Sequence, residues 1–258
     1  MDPYYTDDMV TLYHGDCLEI DEWLDADVLV TDPPYGIAGG RIGSHNRGRS
    51  IAVGWDDLGV RDAVISKWGD KPSAIFGSPR RLDTAPAHEQ APLVWDKGDS
   101  PGMGRIDWPW GISYELIYVN GAGWSGKRRN SVIRIPHNST IATTVGHPTP
   151  KPPRLLELII EKAPDGVIAD PFAGSGSTLL AARNLGRRAI GVELEARVLR
   201  SALSGLGQRV FDAENTLANV RDWADRTGHY VPGQITDWQR GFLTARREVR
   251  QLLDGTDE

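Results

Sequence analysis

Residues 166–178 read GVIADPFAGSGST, and this stretch decides the fold. It begins with a short apolar run, which is typical of a buried strand in a parallel sheet. A turn with two glycines follows, and residues 177–185 are rich in Leu and Ala, which favour a helix. A strand that passes through such a turn into a helix is the building unit of a doubly wound sheet. We therefore take this stretch as the centre of an α/β domain.

The rest of the chain continues this alternation of strands and helices. Apolar and β-branched runs predict strands at residues 10–14, 28–31, 73–77, 92–96, 115–120 and 188–192. Apolar residues at helical spacing predict helices at residues 18–24, 152–160 and 195–206. The alternation indicates an α/β fold with a doubly wound, mainly parallel sheet.

Length and composition suit one globular domain with an extension. The chain has 258 residues, of which 40% are hydrophobic and 25% are charged. The character changes at residue 207, because two amphipathic helical patterns follow there without further strand signals. We therefore expect a domain at residues 1–206 and a helical C-terminal extension at residues 207–258.

Three features predict a protein of the cytoplasm. No apolar run approaches the roughly 20 residues that a membrane span needs. The acidic N-terminus lacks the apolar segment of a secretion signal. The single cysteine, Cys17, excludes an internal disulfide and agrees with a reducing compartment.

The net charge of −6 excludes a protein that coats nucleic acid non-specifically, because such proteins are basic overall. Two segments that contain no acids, residues 37–50 and 124–137, are candidates for local contacts. We expect recognition loops within about 36–56 and 120–146. The candidate residues for binding nucleic acid are Arg41, Arg47, Arg49, Lys127, Arg128 and Arg129. A solvated loop is the alternative interpretation for each of them.

The first motif with chemical consequences, Asp32-Pro33-Pro34-Tyr35, follows the predicted strand at residues 28–31. Ligands bind at the carboxyl ends of strands in open α/β sheets. Neither proline has an N–H, so the segment offers acceptors only, the Asp32 carboxylate and the Pro33 carbonyl. Two acceptors suit an exocyclic amine, whose lone pair they would release for reaction, and Tyr35 offers a ring on which a base can stack. A proline-terminated strand is the structural alternative.

The second motif is the glycine turn after Asp170, which predicts a cofactor site. Glycines let a backbone approach a ligand closely, and no lysine follows Gly176, so a phosphate-binding P-loop is excluded. Glu193 follows Asp170 by 23 residues, close to the ~20-residue offset at which an acid binds ribose hydroxyls. The combination indicates a cofactor that carries a nucleoside.

Together these motifs resemble those of the AdoMet-dependent DNA amino-methyltransferases, in the group whose catalytic motif precedes the cofactor motif. The resemblance covers about residues 10–205. The segments that carry it are residues 13–19, 31–36, 147–152, 170–178 and 186–193. Weaker similarities lie at residues 94–97 and 114–115.

The resemblance implies a Rossmann-like AdoMet-dependent methyltransferase fold, S-adenosylmethionine (AdoMet) as cofactor and double-stranded DNA with a flipped base as substrate. It implies direct transfer at a catalytic motif formed by Asp32, Pro33, Pro34 and Tyr35. It assigns the cofactor site to Asp16, Cys17, Thr149, Lys151, Asp170, Phe172, Gly174, Ser175, Gly176, Ser177 and Glu193. In this order of strands, the carboxylates of Asp16, Asp32, Asp170 and Glu193 are expected to face one crevice.

The target base is predicted to be adenine, methylated at N6. Members of the resembled family that act on adenine usually have Asp at the position of Asp32, whereas those that act on cytosine N4 usually have Ser. Methylation of cytosine carbon 5 needs a Pro-Cys nucleophile, and the only cysteine here follows Asp16. The alternatives are a cytosine-N4 enzyme, a glutamine-amide methyltransferase and a DNA-binding module derived from a methyltransferase. A homodimer, a cognate restriction nuclease and a bacterial or phage origin are further expectations.

Overall fold

The computed structural model describes residues 1–36, 58–86, 90–98, 109–136, 151–196 and 198–199. The chain divides into two units, Met1–Gln208 and Arg209–Glu258. The second unit lies outside the described residues, and so do both of its predicted helices. All the strands and helices of the described residues lie in the first unit.

Nine strands of the described residues form one mixed sheet. They are β1 (Tyr5–Thr6), β2 (Val10–His14), β3 (Val28–Thr31), β4 (Ser73–Gly77), β5 (Leu93–Asp96), β6 (Tyr114–Asn120), β7 (Val132–Arg134), β8 (Ile168–Asp170) and β9 (Ala189–Glu193). Their order across the sheet is β1-β2-β9-β8-β3-β4-β6-β5-β7.

The centre of the sheet is parallel, from β2 through β9, β8 and β3 to β4. The carboxyl ends of these five strands therefore meet at one edge, which we call the carboxyl edge. Strand β6 is antiparallel to β4 and to β5, and β1 is antiparallel to β2. The predicted α/β fold with a mainly parallel sheet is confirmed. Strands β1 and β7 were not predicted, because two or three residues are too few to show a periodic pattern.

The described helices are α1 (Leu58–Trp68), α2 (Pro153–Ile160) and α3 (Ser177–Asn184), with 3₁₀ helices at Glu22–Asp25 and Pro79–Thr84. The predictions for α2 and α3 are confirmed. The predicted α-helix at residues 18–24 is wrong. The Asp16 carboxylate accepts a hydrogen bond from the Leu18 amide, and the Asp16 carbonyl accepts two more from Glu19 and Ile20. These bonds form a single turn that Asp16 caps, but the turn does not continue past Ile20, and only the short 3₁₀ helix Glu22–Asp25 follows.

Helices pack on both faces of the sheet, as a doubly wound fold requires. On one face, Val28 and Val30 of β3 belong to a core that includes Leu155 of α2 and Leu179 of α3. On the other face, Leu29 belongs to a core that contains residues of α1 and the Glu22–Asp25 helix. No helix in the described part of the chain is long and apolar enough to cross a membrane.

Candidate active site

Four carboxylates lie along the carboxyl edge on four neighbouring strands. His14 at the end of β2 pairs with Glu193 at the end of β9, and Asp170 at the end of β8 pairs with Gly191. Asp16 follows β2, and Asp32 follows β3 on the far side of β8. The acids therefore succeed one another along the edge in the order Asp16, Glu193, Asp170, Asp32. Such an edge is where open α/β sheets bind ligands.

The glycine turn between β8 and α3 is held against Glu193. Gly174 and Gly176 have φ angles of 52° and 76°, which side chains other than that of glycine rarely tolerate. The Gly174 amide donates a hydrogen bond of 2.8 Å to Oε2 of Glu193, and the Glu195 amide donates one of 2.8 Å to Oε1. Burial raises the pKa of Glu193 despite these bonds. The turn therefore places the Gly174 backbone beside a partly desolvated carboxylate.

Asp170 is the most deeply buried of the four acids. Its Oδ1 accepts hydrogen bonds from Thr31 Oγ1 at 2.7 Å and from the Phe172 amide at 3.1 Å. Burial and, to a smaller extent, the nearby charge of Asp32 raise the pKa of Asp170 to about 7, although hydrogen bonds to the carboxylate partly oppose this rise. A buried carboxylate of this kind suits a cationic group of a ligand.

A hydrogen bond holds the backbone of Cys17, and its thiol is buried. Its carbonyl oxygen accepts a hydrogen bond of 3.0 Å from Trp23 Nε1. Burial raises the pKa of the Cys17 thiol to about 12, and the charge of Asp16 raises it as well. This thiol therefore packs in the core, in agreement with the interpretation that the reaction uses no cysteine nucleophile.

Both oxygens of the Asp32 carboxylate contact side chains of the chain itself. Tyr35 donates its hydroxyl hydrogen to Oδ1, and Lys151 donates from Nζ to Oδ2. Nζ of Lys151 also lies 3.3 Å from Oε2 of Glu115, and Nζ of Lys97 lies 2.5 Å from Oε1 of Glu115. The motif that is predicted to be catalytic is thus part of a network of two carboxylates and two ammonium groups.

Opposite charges keep Lys151 and Glu115 ionised although both side chains are buried. Burial would lower the pKa of Lys151, but Asp32 and Glu115 raise it above its usual value. Burial would raise the pKa of Glu115, but Lys151 and Lys97 lower it. Burial raises the pKa of the Tyr35 hydroxyl well above its usual value, with the charges of Asp32 and Glu115 adding to the effect. Tyr35 therefore stays a neutral hydrogen-bond donor.

The sequence analysis did not assign Glu115 or Lys97 to the site. The signal was present in the weak motifs at residues 94–97 and 114–115. These two motifs are brought together only by the antiparallel pairing of β5 with β6, which sets Trp95 opposite Glu115. Lys151 was assigned to the cofactor, and the structure places its ammonium on Asp32 and Glu115. Its contact with a cofactor stays a prediction.

The predicted nucleic-acid-binding residues Lys127, Arg128 and Arg129 are not brought to the acids. Strand β6 runs antiparallel to β4, so the chain after Asn120 lies at the opposite edge of the sheet. There, Nζ of Lys162 donates to the Lys127 carbonyl, and Arg129 lies 3.6 Å from Glu161. The other residues predicted to bind ligands, Arg41, Arg47, Arg49 and Thr149, lie outside the described residues.

The sheet order defines a Rossmann-like α/β protein, and four acids line the carboxyl edge of its sheet. Comparison with known proteins gives the family. The model of a family described as DNA methylase, of the N6/N4 type, matches residues 66–204. The chain therefore belongs to the N6/N4 DNA methylases, which methylate exocyclic amino groups of DNA bases and use AdoMet as methyl donor.

Individual relatives agree with this assignment. The chain is 54% identical over 206 residues to "Putative methylase YubD" of Escherichia coli, covering 72% of this chain and 85% of the relative. It is 27% identical over 257 residues to the type II methyltransferase M.ScaI of Streptomyces caespitosus, covering 79% of this chain and 83% of the relative.

Two solved structures share the fold. The M1.HpyAVI–SAM complex has a TM-score of 0.54 at 23% identity, and the match covers 75% of this chain and 97% of that one. The PvuII DNA methyltransferase, described as cytosine-N4-specific, has a TM-score of 0.56 at 14% identity. That match covers 96% of this chain and 95% of the PvuII chain. At these identities the likeness concerns the fold alone, which agrees with the predicted methyltransferase fold.

Proposed function

We propose that the protein transfers a methyl group from AdoMet to the N6 amine of adenine in double-stranded DNA. The observation that carries the proposal is the position of Asp32 at the carboxyl edge, one strand away from Asp170 and the glycine turn. The choice of adenine rests on Asp at the first position of the Asp-Pro-Pro-Tyr motif. A Ser at that position would favour cytosine N4.

The residues of the carboxyl edge fit AdoMet. The left-handed glycines at 174 and 176 leave room for a ligand beside the backbone. Glu193 would bind the ribose hydroxyls, and Asp16 with the Cys17 backbone would lie at the adenine end. Asp170 would face the cationic methionine end, with Phe172, Ser175 and Ser177 lining the turn. Thr149 and Lys151 complete the proposed cofactor set.

The chain's own contribution to the reaction is to position and polarise the amine. When bound, AdoMet supplies a methyl group on a positively charged sulfur. Held by Asp32 and Pro33, the amine would direct its lone pair at that methyl group, and the neutral thioether sulfur would be the leaving group. The nitrogen becomes positively charged and then loses a proton to solvent or to Asp32. Acceptors at Asp32 and Pro33 stabilise the developing charge, and Tyr35 stacks on the flipped base.

The proposal extends to the partners and the compartment. A DNA substrate and relatives from bacteria support a cytoplasmic enzyme encoded by a bacterium or a phage. A cognate restriction nuclease and a homodimer are proposed partners. The segment around Arg41, Arg47 and Arg49 is the proposed DNA contact, because it follows the catalytic motif directly in the chain.

Nucleoside analysis tests the proposal. Purified protein is incubated with unmodified bacterial DNA and isotopically labelled AdoMet, and the digested nucleosides are separated by chromatography and mass spectrometry. We expect the label in N6-methyladenine. Label in N4-methylcytosine would contradict the adenine assignment, and unlabelled DNA would contradict the proposed function as a whole.

A further inference from the structure

Both oxygens of the proposed catalytic carboxylate, Asp32, already accept a hydrogen bond from a side chain of the chain itself. Its Oδ1 accepts from the Tyr35 hydroxyl and its Oδ2 accepts from the Lys151 ammonium. The Lys151 side chain is only 7% exposed, so its position does not reflect a solvated surface pair. A target amine that donates to Oδ2 must share this oxygen with the ammonium group.

Glu115 offers the displaced ammonium another partner. Its Oε1 is held by Lys97 at 2.5 Å. Its Oε2 is buried and has no hydrogen bond within the part of the chain that the structure describes. This oxygen lies 3.3 Å from Nζ of Lys151, so a small side-chain movement would give a good hydrogen bond. A buried acceptor without a hydrogen bond destabilises the fold, and this favours such a movement.

We propose that the Lys151 ammonium moves from Asp32 to Glu115 when the target amine binds, and that Glu115 is the positioning residue for this movement. The inference rests on the proposed function, since it needs an amine at Asp32. It adds a role for two residues, Glu115 and Lys97, that the sequence motifs did not provide. Lys97 takes part by fixing Glu115 so that Oε2 faces Lys151.

Electrostatics require the movement during methyl transfer. The amine nitrogen gains positive charge, and an ammonium on the same carboxylate would repel it. Once Lys151 lies on Glu115, Asp32 is free to face the nitrogen with its full negative charge. Burial would lower the pKa of Lys151, but the two carboxylates raise it. The group therefore stays protonated while it moves.

The kinetic test uses the full-length protein on duplex DNA that the wild type modifies, in single-turnover assays at saturating AdoMet. Glu115→Gln keeps the shape and the acceptor for Lys97 but removes the charge that receives Lys151. We expect the rate of methyl transfer to fall roughly tenfold or more, with little change in AdoMet affinity. Adding Lys151→Met removes the group that blocks Asp32, so the double variant should be faster than Glu115→Gln alone. Glu115→Asp should recover part of the rate.

A matched control removes another ion pair. Asp7 pairs with Arg183 at 2.9 Å, and both side chains are about as buried as Glu115 and Lys97. Asp7→Asn should lower the melting temperature without changing the rate of methyl transfer relative to the wild type. A double variant no faster than Glu115→Gln, or a Glu115→Gln variant as fast as the wild type, would overturn the inference. A wild type that methylates no DNA would overturn the proposed function instead, and the inference with it.

A second measurement needs no Glu115 variant. The nitrogen-15 signal of the Lys151 ammonium, assigned by its loss in Lys151→Met, reports the partner of that group in the wild type. Addition of duplex DNA should shift this signal, because the ammonium exchanges Asp32 for Glu115. An unchanged signal on DNA that the enzyme methylates would overturn the inference.

Discussion

Asp170 is a residue whose protonation couples the stability of the fold to the chemistry of the site. Burial raises its pKa from 3.8 to about 7. Because the pKa is raised on folding, the stability from the protonated group is complete below about pH 4 and disappears as pH rises through about 7. The full shift corresponds to at most about 4 kcal/mol. The ionised group thus makes the fold less stable, but it provides a negative charge for a cationic ligand.

Asp170→Asn should therefore raise the free energy of unfolding, by an amount that grows between pH 5 and pH 8. Urea titrations of both proteins at several pH values measure this difference. The same substitution should weaken AdoMet binding, since the buried negative charge is lost. Asp7→Asn is the control of opposite sign, because hydrogen bonds and Arg183 lower the pKa of Asp7 despite its burial. An Asp170→Asn variant less stable than the wild type at pH 8 would contradict this account.

Cys17 provides a second prediction at the scale of single residues. With a pKa of about 12, the thiolate fraction at pH 8 is on the order of one in ten thousand. We expect a thiol-reactive dye to leave the folded protein unlabelled and to label it after unfolding in urea. Rapid labelling of the folded protein would mean that the thiol is accessible and activated.

At the scale of elements, β9 must pass closely beneath the glycine turn. A Cβ added at Gly191 would lie 2.8 Å from Leu179 and 3.1 Å from both Ala173 and Leu12. Leu12 lies on the neighbouring strand β2, and Ala173 directly precedes Gly174 of the turn. A side chain at position 191 therefore presses on the segment that is proposed to hold AdoMet.

Gly191→Ala should lower the free energy of unfolding by about 1–3 kcal/mol and should also weaken AdoMet binding in calorimetry. Gly69→Ala separates the two effects. Gly69 has a φ of +71° but open space around it, so alanine there adds backbone strain without a clash. That variant should lose stability and keep AdoMet affinity. Equal AdoMet affinities in both variants and the wild type would show that β9 does not support the turn.

Some strands and helices could be predicted from the sequence, and others could not. Strands of the parallel core were predictable because they are buried on both faces and form continuous apolar runs, such as residues 28–31. Helix α1 was missed because its sequence, LGVRDAVISKW, lacks a clear apolar stripe. The helix predicted at residues 18–24 is only a capped turn after Asp16 followed by the 3₁₀ helix Glu22–Asp25, because the helical bonds to Asp16 are not continued beyond Ile20.

On the scale of the whole molecule, the parallel strands bring together acids that are distant in sequence. The alignment of Asp16, Glu193, Asp170 and Asp32 along one edge was predictable, since each follows or ends a predicted strand. The Glu115 network was not predictable, because it depends on antiparallel pairing between β5 and β6. The same topology carries the basic residues 127–129 to the opposite edge, which a local charge pattern does not reveal.

In the proposed mechanism, Asp32 holds the target amine while the glycine turn holds AdoMet. Asp32→Ala tests it most directly, with methyl transfer to DNA and AdoMet affinity measured on the same preparation. The substitution leaves Lys151 paired with Glu115, so it creates no unpaired buried charge. We predict wild-type AdoMet affinity and a loss of methyl transfer of roughly a hundredfold or more. Retained methyl transfer, or loss of AdoMet binding together with it, would contradict the account.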